Sequence, residues 1–408
     1  MTTAILITDA FPLGSITETA FVVPEIEALA KAFARVIVIP TTALGPADAI
    51  PLPPNVEICR DWVESPLWRQ KWRRALYLFT PGLWRRCGSP RTFTNLTFTA
   101  ASIAFERWFL HRFIKGDLDL KDTVIETFWF DFPTAALGHM RKHIPSLRYV
   151  SRAHGHDIYT DRALKPRAEA IDQSQGIYCV SGFGADYLKK LFPGSADKIH
   201  SAPIGCTKLL PAHMAAGHKS TDRQLTFMSI ARVAPGKGVG RILEMLRKLA
   251  VARPSTSIRW IHIGDGPLMS VLKSATGSIT ETNLSVELRG TRHNPEVQRM
   301  LTAEPIDWMM LLSDSEGLPI SLCEGMAYGI PAIATDVGGV SQLVDDDCGL
   351  LLPPDCTPEE FVRGLLPYLD SDVRMDSLRR GAFEKWKRHF NAPALRHDFV
   401  ARHLLPQK

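Results

Sequence analysis

Two glutamates bracket the stretch EGLPISLCE, Glu316 at its head and Glu324 at its tail. Paired carboxylates can act as acid and base, or they can accept hydrogen bonds from the hydroxyls of a polyol. The residues between them bear on that choice. The apolar run DWMMLLS ends at Ser313, Gly317 and Leu318 make a turn, and Pro319 suits the first position of a helix because it has no N–H to leave unpaired. The helix is expected to run to about Ala327 and to stop near Gly329, with Pro331 beyond. Glu316 then precedes the helix, and Glu324 lies in its second turn. A helix that opens on Gly317, Leu318, Pro319 and Ile320 offers unpaired N–H groups and a partial positive end, which suits an anion. Carboxylates beside a phosphate repel it unless they hold hydroxyls of the same ligand. The stretch therefore predicts a phosphorylated polyol rather than an acid–base pair. The bland alternative is a surface turn whose acidic residue supports the helix dipole.

Cations stand upstream in ARVAPGKGVGRILEML. Arg232 follows a strand-like run, a Pro-Gly turn comes next, and Lys237 sits at the head of a helix whose Val239, Ile242, Leu243 and Leu246 share an apolar face. Arginine as a fork and lysine as a point charge can clamp a diphosphate. Lys-Gly in place of Lys-Ser/Thr excludes a Walker loop. Two more strand-to-helix turns carry glycines that admit a close ligand: Gly264 and Gly266 in GDGPL, and Gly338-Gly339 in ATDVGGV.

The elements that must position these residues are short Val/Ile/Leu-rich runs alternating with helical patterns, the signature of parallel sheets with crossover helices. The first half predicts strands at 4–8, 35–40, 123–128, 147–153, 177–181 and 198–203. The second half predicts them at 225–231, 258–264, 286–290, 307–313, 331–335 and 349–353. A length of 408 residues favours at least two domains, and the polar stretch 206–224 reads as the linker between two doubly wound halves. Ligands of such sheets bind at the carboxyl ends of the strands, and two such domains facing each other would enclose a cleft.

In this order and spacing, SIARVAPGKGVGRILEML, IHIGDGPL, VELRG and DWMMLLSDSEGLPISLCEGMAYGIPAIATDVGGVSQLV resemble the donor domain of glycosyltransferase family four, the retaining enzymes of GT-B fold. The resemblance is strong over roughly 200–370. It is looser in the first half, where FVVPEIEALAKAF, SRAHGHDIY and VSGFGADYL carry it. It implies an α/β chain of two Rossmann-like domains: an acceptor domain over 1–205, a donor domain over 206–384, and a final helix over 385–408 returning to the first domain, with the crossing expected around EKWKRHF. It implies transfer of a sugar from a nucleotide diphosphate sugar to a saccharide or lipid-linked acceptor, as in cell-surface polysaccharide synthesis, with no metal or other cofactor. Arg232 and Lys237 would hold the diphosphate, Glu324 the ribose hydroxyls and Glu316 those of the transferring sugar. The backbone from Gly317 to Ile320 would neutralise the leaving phosphate, and Gly264 and Gly266 would line the donor site. Three further classes stay open: a sugar nucleotide epimerase of the same fold, a silent sugar-nucleotide-binding subunit, and a nicotinamide-dependent oxidoreductase, although no G-x-G-x-x-G follows the first strand.

On the acceptor side the candidates are Gly14 after the first strand and His154, His156 and Asp157 in RAHGHDIY, with His154 counted among the catalytic groups. A capping aspartate beside two ordinary loop histidines is the structural alternative. Family members often carry a histidine at the end of an earlier strand; here the chain reads ETFWFDFP. Asp117-Leu118-Asp119 resembles a metal-holding D-x-D but lies in a polar turn. Between 60 and 115 the chain carries eleven Lys/Arg against three Asp/Glu, and tryptophans at 62, 68, 72, 84 and 108. Indoles and basic groups together favour an anionic membrane surface, with packing of the tryptophans on the domain as the alternative. The window lacks a recognisable nucleic-acid-binding module. Seven scattered cysteines without a C-x-x-C pair, and an apolar start that stops at Thr8-Asp9, lead us to expect a reduced cytoplasmic chain at the inner face of the membrane.

Overall fold

The computed structural model describes residues 3–14, 16–46, 50–69, 76–79, 81–87, 93–116, 118–159, 164–210 and 224–405. Its contacts divide into two units, Met1–Ile204 with Pro393–Lys408, and Gly205–Ala392.

The first unit is built on a seven-stranded parallel sheet: β1 (Thr3–Thr8), β2 (Arg35–Pro40), β3 (Val56–Ile58), β4 (Thr123–Thr127), β5 (Tyr149–Ala153), β6 (Ile177–Cys179) and β7 (Ile199–Ser201), ordered β3-β2-β1-β4-β5-β6-β7. The central strands are buried on both faces, which is why they read as unbroken apolar runs. One face packs Ile5, Ile7, Ile37 and Ile125 under Trp62, Phe105 and Phe109, and the other packs Ala4, Leu6, Val36 and Val124 under the Ile16–Ala32 helix. The second unit has a six-stranded parallel sheet: β8 (Gln224–Ile230), β9 (Ser257–Ile263), β10 (Leu284–Leu288), β11 (Trp308–Leu311), β12 (Ala332–Thr335) and β13 (Gly349–Leu352), ordered β10-β9-β8-β11-β12-β13. Both orders are doubly wound, with the winding reversing between β1 and β4 and between β8 and β11. Every expected strand is present; β3, three residues at the sheet edge, was not expected.

Helix Ile320–Ala327 lies close on β11 because Gly325 faces Met309: an added Cβ would stand 2.3 Å from that residue's Cγ. The helix starts one residue later than the sequence suggests, with Pro319 as its N-cap.

Two expectations about the chain's later course change. Residues 384–390 do not leave the second unit: they belong to the Asp372–His389 helix, whose Trp386 Nε1 donates to Cys206 O at 3.3 Å, and Lys385 pairs with Asp345. The segment grouped with the first unit begins at Pro393. It is fixed there by a fully buried ion cluster: Arg396 Nε lies 3.0 Å from Glu25 Oε2, Arg152 reaches both Glu25 (3.2 Å) and Glu126 (3.1 Å), and Phe399 stacks against the Arg152 guanidinium. Burial, then the neighbouring Glu25, pushes the Glu126 carboxyl up to about 8. Breaking such a cluster from one side leaves uncompensated charge, so Arg396→Ala should lower unfolding stability by about 3–5 kcal/mol, read by chemical denaturation.

Candidate functional site

In the second unit the loops that follow β8, β9, β11 and β12 interlock at the reversal point. Asp314 N–H donates to Gly236 O (2.8 Å), Val233 N–H to Asp265 O (3.0 Å) and Gly339 N–H to Glu316 O (3.3 Å). Gly338 has φ +56°, and an added Cβ would sit 1.9 Å from Glu316 O, so only glycine lets this loop close on the 316 turn. Gly264 and Gly266 are packed as closely, against the carbonyls of Ala231 and Val233.

These contacts bring most of the expected donor residues together. The Lys237 ammonium meets Glu316 Oε1 at 2.7 Å, with the carboxylate nearly covered and the ammonium partly open. Arg232 is exposed on the same loop, and among the described residues its guanidinium has no hydrogen bond or ion pair. Gly317 is half-buried, while Leu318 and Pro319 turn inward. At the start of the helix, Pro319 supplies no side-chain cap, and the N–H groups of Ile320 and Ser321 have no acceptor within the helix. A cation and helix-end amides thus surround a partly buried carboxylate. Glu324, one turn deeper, is nine-tenths buried and accepts from Asn294 Nδ2. Burial pushes its carboxyl up to about 7, against the pull of hydrogen bonds from Asn294 and Gln298. Asn294 and Gln298 come from the Asn294–Ala303 helix and were not anticipated from the sequence.

The corresponding point of the first unit holds a cavity of about 140 Å³, lined among others by Asp9, Thr41, Trp129, Asp131, His156 and Asp157. That is room for an end of a hydroxyl-bearing ligand, well short of the roughly 300–1,000 Å³ that houses a drug-sized one. Glu18, also missed in the sequence, organises its wall. Its buried carboxylate accepts the N–H groups of Asp9 (2.9 Å), Ala10 (2.7 Å) and Phe11 (2.7 Å) and Trp129 Nε1 (2.7 Å). An acidic residue in the first turn of the helix that follows β1 was the available signal.

Of the expected acceptor-side residues, His156 is exposed and Asp157 partly buried, and both line the cavity. Asp157 also caps the local turn, accepting from His154 N–H (2.6 Å) and Phe130 N–H (2.8 Å), with its carboxyl pushed up to about 7 by burial. His154 does not have the placement of a catalytic group. Its ring is buried against Phe128 and Trp129, Nε2 lies 3.0 Å from the Phe128 carbonyl, and burial with Arg152 and Arg396 nearby lowers its pKa to about 3. Its imidazole is therefore neutral near pH 7, and it is not among the residues lining the cavity. Gly14, with φ +80°, lies tight against Gly45 and does not line the cavity.

The basic window is largely structural where it is described. Trp62 is fully buried with Nε1 donating to Thr41 O (3.0 Å), Trp108 packs on Trp62 and Phe105, Arg86 pairs with Glu106, and Arg112 with Asp61. Trp72, Lys71, Arg73, Arg74 and Arg91 lie outside the described residues, as does Asp117 of the D-x-D stretch. Asp119 caps a turn through Lys121 N–H (2.9 Å). Among the described residues no three His, Cys, Asp or Glu group as a metal site, and no helix is long and apolar enough to cross a membrane.

Residues 224–371 match the family model of glycosyl transferases group 1. The chain is 24% identical to the Bacillus subtilis protein named as the teichuronic acid biosynthesis glycosyltransferase TuaC, over 66% of this chain and 68% of that one. It is 28% identical to the Escherichia coli protein named for colanic acid biosynthesis, WcaL, over 45% and 46%. The chain thus spans about two thirds of the first relative and less than half of the second. Among solved structures, the sucrose-phosphate synthase of Thermosynechococcus elongatus superposes with a TM-score of 0.69 over 99% of both chains at 16% identity, a likeness of fold. The architecture is the GT-B one of two Rossmann-like domains.

A second buried histidine gives the site a pH signature. His262 Nδ1 lies 2.8 Å from Ser229 Oγ, which also accepts Trp260 Nε1–H at 2.9 Å, and the histidine's Nε2 is buried without a hydrogen-bond partner among the described residues. Burial lowers its pKa to about 4. Both histidines titrate near 6.5 when unfolded, so the stability they contribute is complete above that pH and is lost as pH falls towards 4 for His262 and 3 for His154. Between pH 7 and 4.5, thermal melts of His262→Leu should decline less steeply than those of the unaltered protein.

Proposed function

We propose that the protein is a retaining glycosyltransferase that moves a sugar from a nucleotide diphosphate sugar, bound by the second unit, to a saccharide or lipid-linked acceptor engaged by the first unit's cavity. The observation that carries this reading is the Lys237–Glu316 pair at the open head of helix Ile320–Ala327. A carboxylate neutralised by an adjacent ammonium can accept sugar hydroxyls without repelling the diphosphate. Arg232 and Lys237 supply positive charge to that diphosphate, and the amides of the helix head stabilise the charge that grows on it as the bond to the sugar breaks. Glu324, deeper in the pocket, accepts the ribose hydroxyls. No metal or other cofactor enters this scheme.

Retention follows if the acceptor oxygen attacks on the face that the phosphate is leaving and the phosphate takes its proton, so no protein nucleophile is needed. Glu316 is poorly suited to be one, since its carboxylate is already committed to Lys237. The relatives named for teichuronic acid and colanic acid biosynthesis support a role in polysaccharide synthesis.

Turnover of donor by the purified chain, followed with the anomeric configuration of the product by NMR, tests this reading. Lys237→Ala and Glu316→Ala should each lower kcat by about a hundredfold or more, the loss typical of removing one preorganised charge-stabilising group. Recovery of a sugar covalently bound to Glu316 would contradict the mechanism.

We also assign contact with an anionic membrane surface to the 60–115 insertion, now on narrower grounds. Phe79 is 83% exposed there, and Arg69 and Arg85 are exposed. Flotation with phosphatidylserine vesicles should show binding at low salt that is released by added salt and weakened in a Phe79→Ser/Arg85→Ala double variant. Absence of low-salt binding would remove this assignment and leave the transferase reading standing.

A further inference from the structure

A chain of hydrogen bonds runs into Glu324 from the start of the second unit, and its direction is fixed by chemistry. Leu210 N–H can only donate, and it donates to Tyr328 Oη at 3.3 Å. The tyrosine proton is therefore free to go on to Gln298 Oε1. With its carbonyl oxygen turned to Tyr328, the Gln298 amide keeps its NH₂ side as a donor, and it acts to lower the pKa of the neighbouring Glu324 carboxyl. Asn294, one helical turn before Gln298 on the same face, donates Nδ2 to Glu324 Oε1. Among the described residues the carboxylate thus accepts from an amide donor. Gln298 is fully buried, so its amide has no water to turn to.

The origin of the chain is itself held in place. Lys208 Nζ lies 4.7 Å from the Phe383 ring centroid, 5.3 Å from Tyr328 and 5.8 Å from Trp386, while Trp386 Nε1 binds Cys206 O. The segment around Leu210 is therefore packed on the same tyrosine that orients Gln298.

We propose that Asn294 and Gln298 are positioning residues of the ribose subsite, opposing protonation of Glu324 and aiming it to accept two sugar hydroxyls, with Tyr328 setting the orientation of Gln298 from the chain's entry into the second unit. This rests on the reading of Glu324 as the ribose-binding carboxylate. A buried carboxyl group left without these donors takes up a proton more readily, becomes a hydrogen-bond donor on one oxygen, and no longer matches a pair of ribose hydroxyls. Neither amide need touch the nucleotide; their effect passes through Glu324.

The test is isothermal titration of the full chain with UDP, GDP and ADP, followed by the 2′,3′-dideoxy form of whichever binds. Gln298→Leu and Asn294→Leu should each weaken binding of the ribose form about tenfold, the loss of one hydrogen bond to a charged group, and Tyr328→Phe about threefold. Affinity for the dideoxy form should be unchanged in all three, which also shows that the variants are folded. An equal loss for both forms would assign the residues a general structural role and overturn the proposal, as would no loss for either. If Glu324→Gln weakens ribose-form binding and Gln298→Leu and Asn294→Leu do not, this inference fails while the functional reading survives. If none of the three diphosphates binds the unaltered protein, the functional reading fails and takes this inference with it.

Discussion

A carboxylate can share a pocket with a phosphate only if its charge is balanced within a few ångströms, and in this protein Lys237 provides that balance at 2.7 Å from Glu316. Two unit charges at about 4 Å interact by roughly 4 kcal/mol at an effective dielectric of 20, enough to decide whether a dianion enters. The pairing requires the β8 loop to lie against the β11 loop, which the Asp314–Gly236 hydrogen bond secures, and the 316 turn to be closed from behind by the β12 loop through Gly338. Those loops meet because β8 and β11 are neighbours in the sheet although three strand–helix crossovers separate them in the chain. The site is thus a consequence of the doubly wound order, and the sequence decorates the one place where that order makes adjacent loops diverge from opposite faces.

The strands were legible because buried parallel strands are apolar on both faces and need no alternation, as RVIVIP shows at 35–40. The three residues of β3 were not legible, since Val56–Ile58 follows two prolines and is only partly covered. The donor turns were legible as local motifs, a lysine at a helix head and a Glu-Gly-Leu-Pro turn before another helix, although the Lys237–Glu316 pairing itself spans 79 positions. The partners of Glu324 were not, because Asn294 lies 30 positions away and becomes adjacent only when the 294 helix packs beside the 320 helix.

The tryptophans of the basic window show the converse. A cluster of indoles and guanidinium groups has the composition of a membrane interface, yet Trp62 and Trp108 pack together and Arg112 and Arg86 find carboxylates that sequence proximity does not reveal. His154 was misjudged for the same reason. A histidine after a strand looks available until the backbone carbonyl of Phe128 and the ring of Trp129 are seen to enclose it. Composition indicates which environments a side chain tolerates; the contacts that choose among them are long-range.

The two units share strand order and reversal point, and differ in the charge placed there. In the first, Asp9, Asp131 and Asp157 line the cavity, and the nearby amides of residues 9–11 are consumed by Glu18. In the second, the corresponding loops carry Arg232 and Lys237, and the helix head keeps amides in reserve. Backbone N–H groups are the scarce resource at such a point: a carboxylate that occupies them fills the place a phosphate would take. Glu18 therefore does more than brace a loop. By accepting the N–H groups of residues 9–11, its carboxylate leaves that loop of the first unit without those amides to offer an anion, in contrast to the helix head of the second unit.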